Sequence, residues 1–214
     1  MYNKLFKHEK GITGLETAII LIAFVVVAAV FAYTVLSAGL FATQKSQEAV
    51  YSGLKEAQST LELRGGVIAT ANTIGDSGTI KQISFTVANV LGGEPVDFTQ
   101  PDPVTSVNGT ASSTSVNKVV INYIDKDQTV KNLFWKVTRL GNYNDNYLLE
   151  QNEKFQVTVG SDTPGTLGGD LANALGTPLG ANKTFTLEVL TPAGAVLQIE
   201  RTTPATINTI MNLR

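Results

Sequence analysis

Residues 18–33 constrain this 214-residue chain more than any other stretch, because all sixteen of them are apolar. No charged residue occurs between Glu16 and Lys45. A helix that is apolar on every side is buried either in lipid or among other protein helices. The stretch therefore predicts a helix that a membrane or neighbouring helices must cover.

The helical pattern continues beyond the apolar run and becomes one-sided. Steps of three and four residues place one set of side chains on a single helix face. That set is Leu36, Leu40, Thr43, Gln47, Val50, Leu54, Ala57 and Leu61. With no proline from Ile12 to Arg64 and Gly65-Gly66 as a stop signal, we predict one helix over residues 12–64. Its length of about 80 Å far exceeds a bilayer core of about 30 Å, so its second half should also pack against something.

After residue 64 the helical periodicity stops and the composition shifts towards Thr, Val, Asn, Gly and Pro. Short runs with alternating apolar residues predict strands separated by turns. They span residues 67–72, 80–90, 118–125, 133–140, 154–159, 184–190 and 195–201. We therefore expect an α+β chain in which the long helix precedes an antiparallel β-sandwich over residues 65–214. The least regular segment, residues 94–117, is expected to be exposed variable surface.

The composition argues against catalysis and against nucleic acid as a partner. The chain has no cysteine, and its one histidine is His8, in the basic N-terminal segment. Without them it lacks the usual general base, transition-metal ligands and His-activated nucleophile, so we expect no enzyme and no cofactor. A net charge of −2 gives no basic field for nucleic acid.

Two kinds of surface site are suggested by short motifs. Asn108-Gly109-Thr110 and Asn182-Lys183-Thr184 match the N-glycosylation sequon, and both lie in predicted loops or at strand edges. Asp125, Asp127 and the run 142–146 offer oxygen ligands for Ca²⁺ or Mg²⁺. Neither cluster matches an EF-hand loop, and ordinary turn chemistry explains both, so they are weak candidates.

The N-terminus has the order of a targeting signal, with Lys4, Lys7 and Lys10 before the apolar run. An ordinary secretory peptide would be cut beyond the run, where Ser37-Ala38-Gly39 offers a weak site. The alternative is a cut between Gly11 and Ile12, which leaves the apolar helix on the product.

The second alternative is supported by a family resemblance. Lys10-Gly11 followed by ITGLE resembles the class III signal of type IV pilins, which a prepilin-type membrane aspartic peptidase cuts after the glycine. The run GLETAIILIAFVVVAAVFAY resembles the start of archaeal flagellins, the archaellins. Many archaellins carry Gly-Ile-Gly-Thr here without an acid, and the form with Glu16 resembles another branch of the family.

Segments of the body also resemble archaellins, namely ISFTVANVLGGEPVDF, NYNDNYLLEQNEKF and FTLEVLTPAGAVLQIERTTPATI. The resemblance implies an immunoglobulin-like sandwich on the exterior of a filament, commonly N-glycosylated. It implies removal of residues 1–11, with residues 12–64 first in the membrane and then in the filament core. It also implies that the new α-amino group of Ile12 pairs with Glu16 to set axial register. The pairing is chemically reasonable because an acid inside a bundle is costly unless paired, although the helix dipole alone would also favour an acid here.

We therefore expect a filament subunit of the archaeal flagellum that polymerises with itself or with paralogous subunits. The implied partners are the peptidase, an assembly ATPase and a membrane platform protein. Two rivals remain open: an adhesive archaeal pilin built from the same parts, and a monomeric membrane-anchored β-sandwich binding module.

Overall fold

The computed structural model describes residues 9–58, 60–90, 93–102, 108–160 and 169–213. Within these ranges, side chains are described from Gly14 onwards, except for that of Gln58. The chain divides into two compact units, residues 1–52 and 53–214, which are described separately. The helices are α1 (Glu9–Gln58) and α2 (Leu171–Ala174). The strands are β1 (Leu61–Leu63), β2 (Val67–Thr73), β3 (Thr79–Asn89), β4 (Val96–Asp97), β5 (Val120–Asp125), β6 (Thr129–Val130), β7 (Trp135–Leu140), β8 (Leu148–Leu149), β9 (Lys154–Val159), β10 (Thr184–Leu190), β11 (Val196–Thr202) and β12 (Ile210–Leu213).

Helix α1 contains 50 residues and has no break between its ends. It begins at Glu9, so it already includes the peptide bond between Gly11 and Ile12. The expected end at Arg64 was wrong, because the helix stops at Gln58. At about 1.5 Å per residue the helix is about 75 Å long, which still exceeds any bilayer core.

The early end of α1 follows from competition for two leucines. Leu61 and Leu63 form β1, which pairs with β3 opposite Asn89 and Val87. Leu61 is 4% exposed in the sandwich core, and the backbone N–H of Arg64 donates to the carbonyl of Thr86 at 2.8 Å. Burying a leucine side chain is worth about 1.5–3 kcal/mol, which outweighs one more turn of exposed helix. Leu61 therefore leaves the helical face that its spacing had suggested.

Two antiparallel sheets form the body of the second unit. The six-stranded sheet has the order β12-β2-β3-β9-β7, with β1 also paired to β3. The four-stranded sheet has the order β11-β10-β5-β6, and β4 pairs with β8 in a separate ribbon. All seven expected strands are present within one or two residues at each end. The additional strands are β1, β4, β6, β8 and β12, and all but β12 have only two or three residues.

The two sheets share one hydrophobic core, as the alternating residues predicted. Phe85, Val157 and Leu187 lie on the three strands with the clearest alternation, and each is at most 1% exposed. A stacked pair, Tyr123 and Phe185, joins β5 to β10 with ring centroids 5.9 Å apart. The expected antiparallel sandwich after a long helix is therefore confirmed, and its described core is built entirely from residues 61–213.

The expectation that residues 94–117 form exposed surface was wrong for part of the described segment. Phe98 is fully buried and meets both Trp135 and Phe155 edge to face, with ring centroids 5.9 Å apart in each pair. Gly109 has φ +71°, and an added Cβ would lie 2.3 Å from the carbonyl oxygen of Asp170. The segment lacks alternation because its core contacts come from single residues, which no periodic pattern can reveal.

The turn after β5 is held by the carboxylate of Asp125. Its Oδ1 accepts from the backbone N–H groups of Asp127 and Gln128 at 2.7 and 2.8 Å, and its Oδ2 accepts from the hydroxyl of Tyr123 at 2.8 Å. Burial by itself would raise the pKa of Asp125, but these hydrogen bonds outweigh it and hold that pKa below its ordinary value. Desolvation and the neighbouring carboxylate raise the pKa of Tyr123, so it keeps its proton and donates.

The buried position of Phe98 predicts a large cost on truncation. Phe98→Ala should lower the free energy of unfolding by about 3–5 kcal/mol, because it leaves a cavity beside Trp135. Val116→Ala, in the same loop but at a side chain that is 64% exposed, should change it by less than about 0.5 kcal/mol. Guanidinium unfolding of the detergent-solubilised chain can be followed by the fluorescence of Trp135, the one tryptophan in the sequence. Equal losses in the two variants would contradict a core role for this loop.

The lowered pKa of Asp125 predicts a loss of stability in acid. A depressed carboxyl pKa stabilises the fold above the unfolded-state value, and this contribution disappears as pH falls through the folded-state value. The wild type should therefore lose melting temperature as pH falls below about 4, and Asp125→Asn should have a lower and flatter profile there. The control is Asp102→Asn at an exposed carboxylate, which should follow the wild type. Parallel profiles for Asp125→Asn and the wild type would disprove this role.

Candidate assembly surface

The apolar part of α1 is exposed along its whole length. Phe24, Phe31 and Tyr33 are 72%, 69% and 73% exposed, and the other large apolar side chains of residues 18–33 are all more than half exposed. In length and composition the helix from Gly14 to Ala57 could cross a membrane, and none of its most apolar window is buried within the described chain. Exposed apolar area on this scale marks a surface that binds lipid or protein.

The interior of α1 also contains glycines that hydropathy alone does not single out. An added Cβ at Gly39 or Gly53 would have no atom within 4 Å. Glycine within a helix costs about 0.5–1 kcal/mol relative to alanine, so packing among the described residues gives no reason for either glycine. At about 100° per residue the two lie within about 40° of each other around the helix. Small residues on one face allow another helix to approach closely.

The expected processing site lies near the start of α1. The backbone of Lys10, Gly11 and Ile12 is helical, and the side chains of these residues are outside the described ones. Glu16 is exposed and lies one turn beyond Ile12, on the same side of the helix. An α-amino group on Ile12 would therefore be within reach of the Glu16 carboxylate, and their pairing stays a prediction.

Both sequons are accessible on the sandwich domain. The side chain of Asn108 is exposed, and its Oδ1 accepts from the backbone N–H of Thr110 at 3.3 Å. The side chain of Asn182 is also exposed, at φ +54°, and its backbone N–H donates to the carbonyl of Pro204 at 3.1 Å. Accessibility meets one requirement for glycosylation at each site, and modification itself stays a prediction.

The weak metal candidates are occupied by other contacts. The carboxylate of Asp125 holds the turn described above, and Asp127 forms an ion pair with Lys183 at 2.8 Å. In the run 142–146, Asp145 pairs with Arg139 at 3.0 Å, and the side-chain amide of Asn144 donates to Glu150. Among the described residues no three His, Cys, Asp or Glu side chains cluster as metal ligands. Turn chemistry accounts for the positions of these groups.

Comparison with known proteins gives one consistent family. Residues 11–201 match the family model described as archaeal-type flagellin. The chain is 37% identical over 219 aligned residues to "Probable flagellin 1" of Archaeoglobus fulgidus, covering 98% of both chains. Among solved structures it resembles the archaeal flagellum of Methanospirillum hungatei strain JF1, with a TM-score of 0.59 and 32% identity over 94% of this chain and 98% of that one.

A more distant structure supports the fold alone. Archaeal flagellin FlaB1 from Methanocaldococcus jannaschii aligns with a TM-score of 0.52 at 12% identity, over 72% of this chain and 96% of that one. The near-complete coverage of both the Archaeoglobus relative and the Methanospirillum structure includes the long helix as well as the sandwich. On this evidence the chain belongs to the archaeal-type flagellin family.

Proposed function

We propose that the chain is the structural subunit that polymerises through α1 into the extracellular filament of an archaeal flagellum and serves swimming. The observation that carries the proposal is the exposed apolar surface of α1. The chain that exposes it belongs to the archaeal-type flagellin family. Covering that face with identical helices removes it from water, at about 25 cal/mol per Å² of apolar surface. The chemistry is association, and no residue is assigned a catalytic role.

The same helix supports a membrane-inserted precursor. Its apolar window has a mean hydropathy of 2.9, which suits a bilayer before assembly. In this proposal the prepilin-type peptidase cuts between Gly11 and Ile12 and removes residues 1–11. An assembly ATPase and a membrane platform protein then move the subunit from lipid into the growing filament. A helix that is apolar all round suits both surroundings in turn.

The proposed division of the mature subunit is into a helical segment and a sandwich, and it is supported by a chain that forms two compact units, residues 1–52 and 53–214. The helical segment, assigned to residues 12–64 and ending structurally at Gln58, forms the filament core. The sandwich, assigned to residues 65–214, lies outside it. The described hydrophobic core of the sandwich includes no residue of α1, so the sandwich does not consume the apolar surface that assembly needs.

Glycosylation at Asn108 and Asn182 is a further part of the proposal. Both side chains are exposed on the domain that would face the medium. A glycan on either asparagine would therefore not have to enter the sandwich core. Peptide masses from sheared filaments report the occupancy of each site.

The proposal predicts the first residue of the subunit in the filament. N-terminal sequencing of sheared extracellular filaments should begin at Ile12, because the cut leaves the whole apolar helix on the subunit. A start beyond Ala38 would identify an ordinary secreted domain instead. Protein found in the membrane, with no filaments that contain it, would favour a monomeric membrane-anchored binding module.

Deletion of the gene separates the flagellar role from that of an adhesive pilin. Cells without the subunit should lose swimming and keep surface attachment. Loss of attachment with unchanged swimming would assign the filament to adhesion.

Substitution of Glu16 tests the register charge separately from processing. Glu16→Gln should leave cleavage intact but strongly reduce filaments, because the new amino group of Ile12 would then be buried without a partner, at a cost of about 3–5 kcal/mol. Glu16→Asp keeps the charge and should retain part of the assembly. The matched control is Glu48→Gln, which removes only an exposed pair with Lys45. The readouts are the sheared filament yield and the processed subunit left in the membrane, and normal filaments from Glu16→Gln would refute the role.

A further inference from the structure

The two sequons differ in how firmly the folded sandwich holds their backbones. Among the described residues, the triplet that begins at Asn108 receives one hydrogen bond from elsewhere in the chain. The backbone N–H of Phe134 donates it to the carbonyl of Gly109 at 2.9 Å. The bond from the backbone N–H of Thr110 to Oδ1 of Asn108 stays within the triplet. This triplet is therefore tied to its surroundings at its middle residue, the buried Gly109.

The triplet that begins at Asn182 is tied to the segment 202–204 at all three of its residues. The backbone N–H of Asn182 donates to the carbonyl of Pro204 at 3.1 Å. The hydroxyl of Thr184 bonds to that of Thr202 at 2.9 Å. Thr184 is also the first residue of β10, which lies between β11 and β5 in the four-stranded sheet. The third residue, Lys183, is held at the most points.

Thr203 fixes the backbone of Lys183 at both its N–H and its carbonyl. The hydroxyl of Thr203 accepts from the backbone N–H of Lys183 at 2.9 Å and donates to the carbonyl of Gly180 at 2.7 Å. The backbone N–H of Thr203 donates to the carbonyl of Lys183 at 2.9 Å. Thr203 is only 2% exposed, and the ammonium group of Lys183 pairs with Asp127 at 2.8 Å. The middle residue of this sequon is therefore held through its backbone and its side chain.

Glycan transfer requires the sequon to fit an enzyme. The side-chain nitrogen of asparagine bonds to the anomeric carbon of an oligosaccharide carried on a lipid phosphate. The bond from that carbon to the phosphate oxygen breaks, so the lipid phosphate leaves with the electron pair, and the amide loses one proton to a base. The sequon has Ser or Thr two residues beyond the asparagine, so the enzyme also reads that hydroxyl. Bringing both groups into one site requires freedom of the residue between them.

We infer that Asn182 receives its glycan before β10 joins β11, and that the folded sandwich accepts a glycan at Asn108 more readily than at Asn182. The inference rests on the proposed function, in which both sequons of an exported subunit are glycosylated. Thr203 follows Asn182 in the sequence beyond the whole of β10 and β11, so Asn182 is exported before the residue that fixes its triplet. Once folded, the start of β10 opens rarely, because its strand is paired on both sides.

A comparison of folded and refolding chains tests the order of events. The full chain is produced without glycans in a bacterium and kept in detergent. It is then incubated with archaeal membranes that contain the transferase and its lipid-linked oligosaccharide. One sample is folded beforehand, and the other is diluted from urea directly into the reaction, so that transfer competes with folding. Asn182 should carry at least about tenfold less glycan in the folded sample, because the open form of a paired strand is rare. Site-resolved mass spectrometry measures the occupancy.

Asn108 in the same chain is the internal control. Its occupancy should fall much less between the refolding and the folded sample. Equal occupancy of Asn182 in the two samples, or an equal loss at both sites, would overturn the inference. A free sequon peptide added to the same membranes confirms that the transferase is active. With that peptide modified, a chain without glycan at Asn182 in either sample would remove this site from the proposed glycosylation and the inference with it, and would leave the filament function in place.

Substitution of Thr203 tests whether its hydrogen bonds block transfer. Thr203→Val keeps the shape of the side chain but leaves the backbone groups of Gly180 and Lys183 without their hydroxyl partner. The triplet should then open more often, and the glycan at Asn182 of the folded sample should rise several-fold. The matched control is Thr158→Val, which removes a hydroxyl bond to Ser84 on the other sheet and should leave the occupancy of Asn182 unchanged.

Tryptophan fluorescence establishes that each variant is folded before the reaction. Asp127→Asn weakens the contact to the ammonium group of Lys183 at the surface and is a milder second variant, for use where Thr203→Val does not fold. It should raise the occupancy of Asn182 in the folded sample in the same direction. Wild-type occupancy in a folded Thr203→Val chain, or in Asp127→Asn where that variant replaces it, would overturn the inference.

Discussion

The constraint on which this structure depends is the exposure of α1 to its surroundings. A helix with large apolar side chains on every side is stable only where something else covers it, and the described sandwich core takes none of them. Lipid and a bundle of identical helices can both bury these side chains, because each removes them from water. The continuity of the helix and its lack of proline follow from this constraint, since an interrupted helix would expose backbone groups in either setting.

The sandwich is stabilised by contacts among its own residues. Its inward residues alternate along β3, β9 and β10, and the aromatic contacts of Phe98 close one side of the core. The turn at Asp125 is held by hydrogen bonds within the domain. The described contacts of the sandwich core are therefore made among the domain's own residues.

Periodicity explains which parts of the fold could be predicted from the sequence. Strands with several inward residues were predicted, whereas β4, β6 and β8 are too short to show alternation. Leu61 continues the helical spacing of the sequence but lies in β1, because burial in the sandwich core stabilises it more than another helical turn would. At the assembly surface, Gly11 and Glu16 could be singled out by their positions beside the apolar run.

The separation of the sandwich core from α1 has a consequence for sequence change over evolutionary time. Substitutions on the sandwich that preserve its inward residues do not alter the helix, so its surface can diverge freely. A substitution in α1 changes the contacts with several neighbouring helices at once, so fewer substitutions are tolerated there. A chimaera that carries this helix with another subunit's sandwich should therefore be tolerated better than one in which the helix itself is a mosaic.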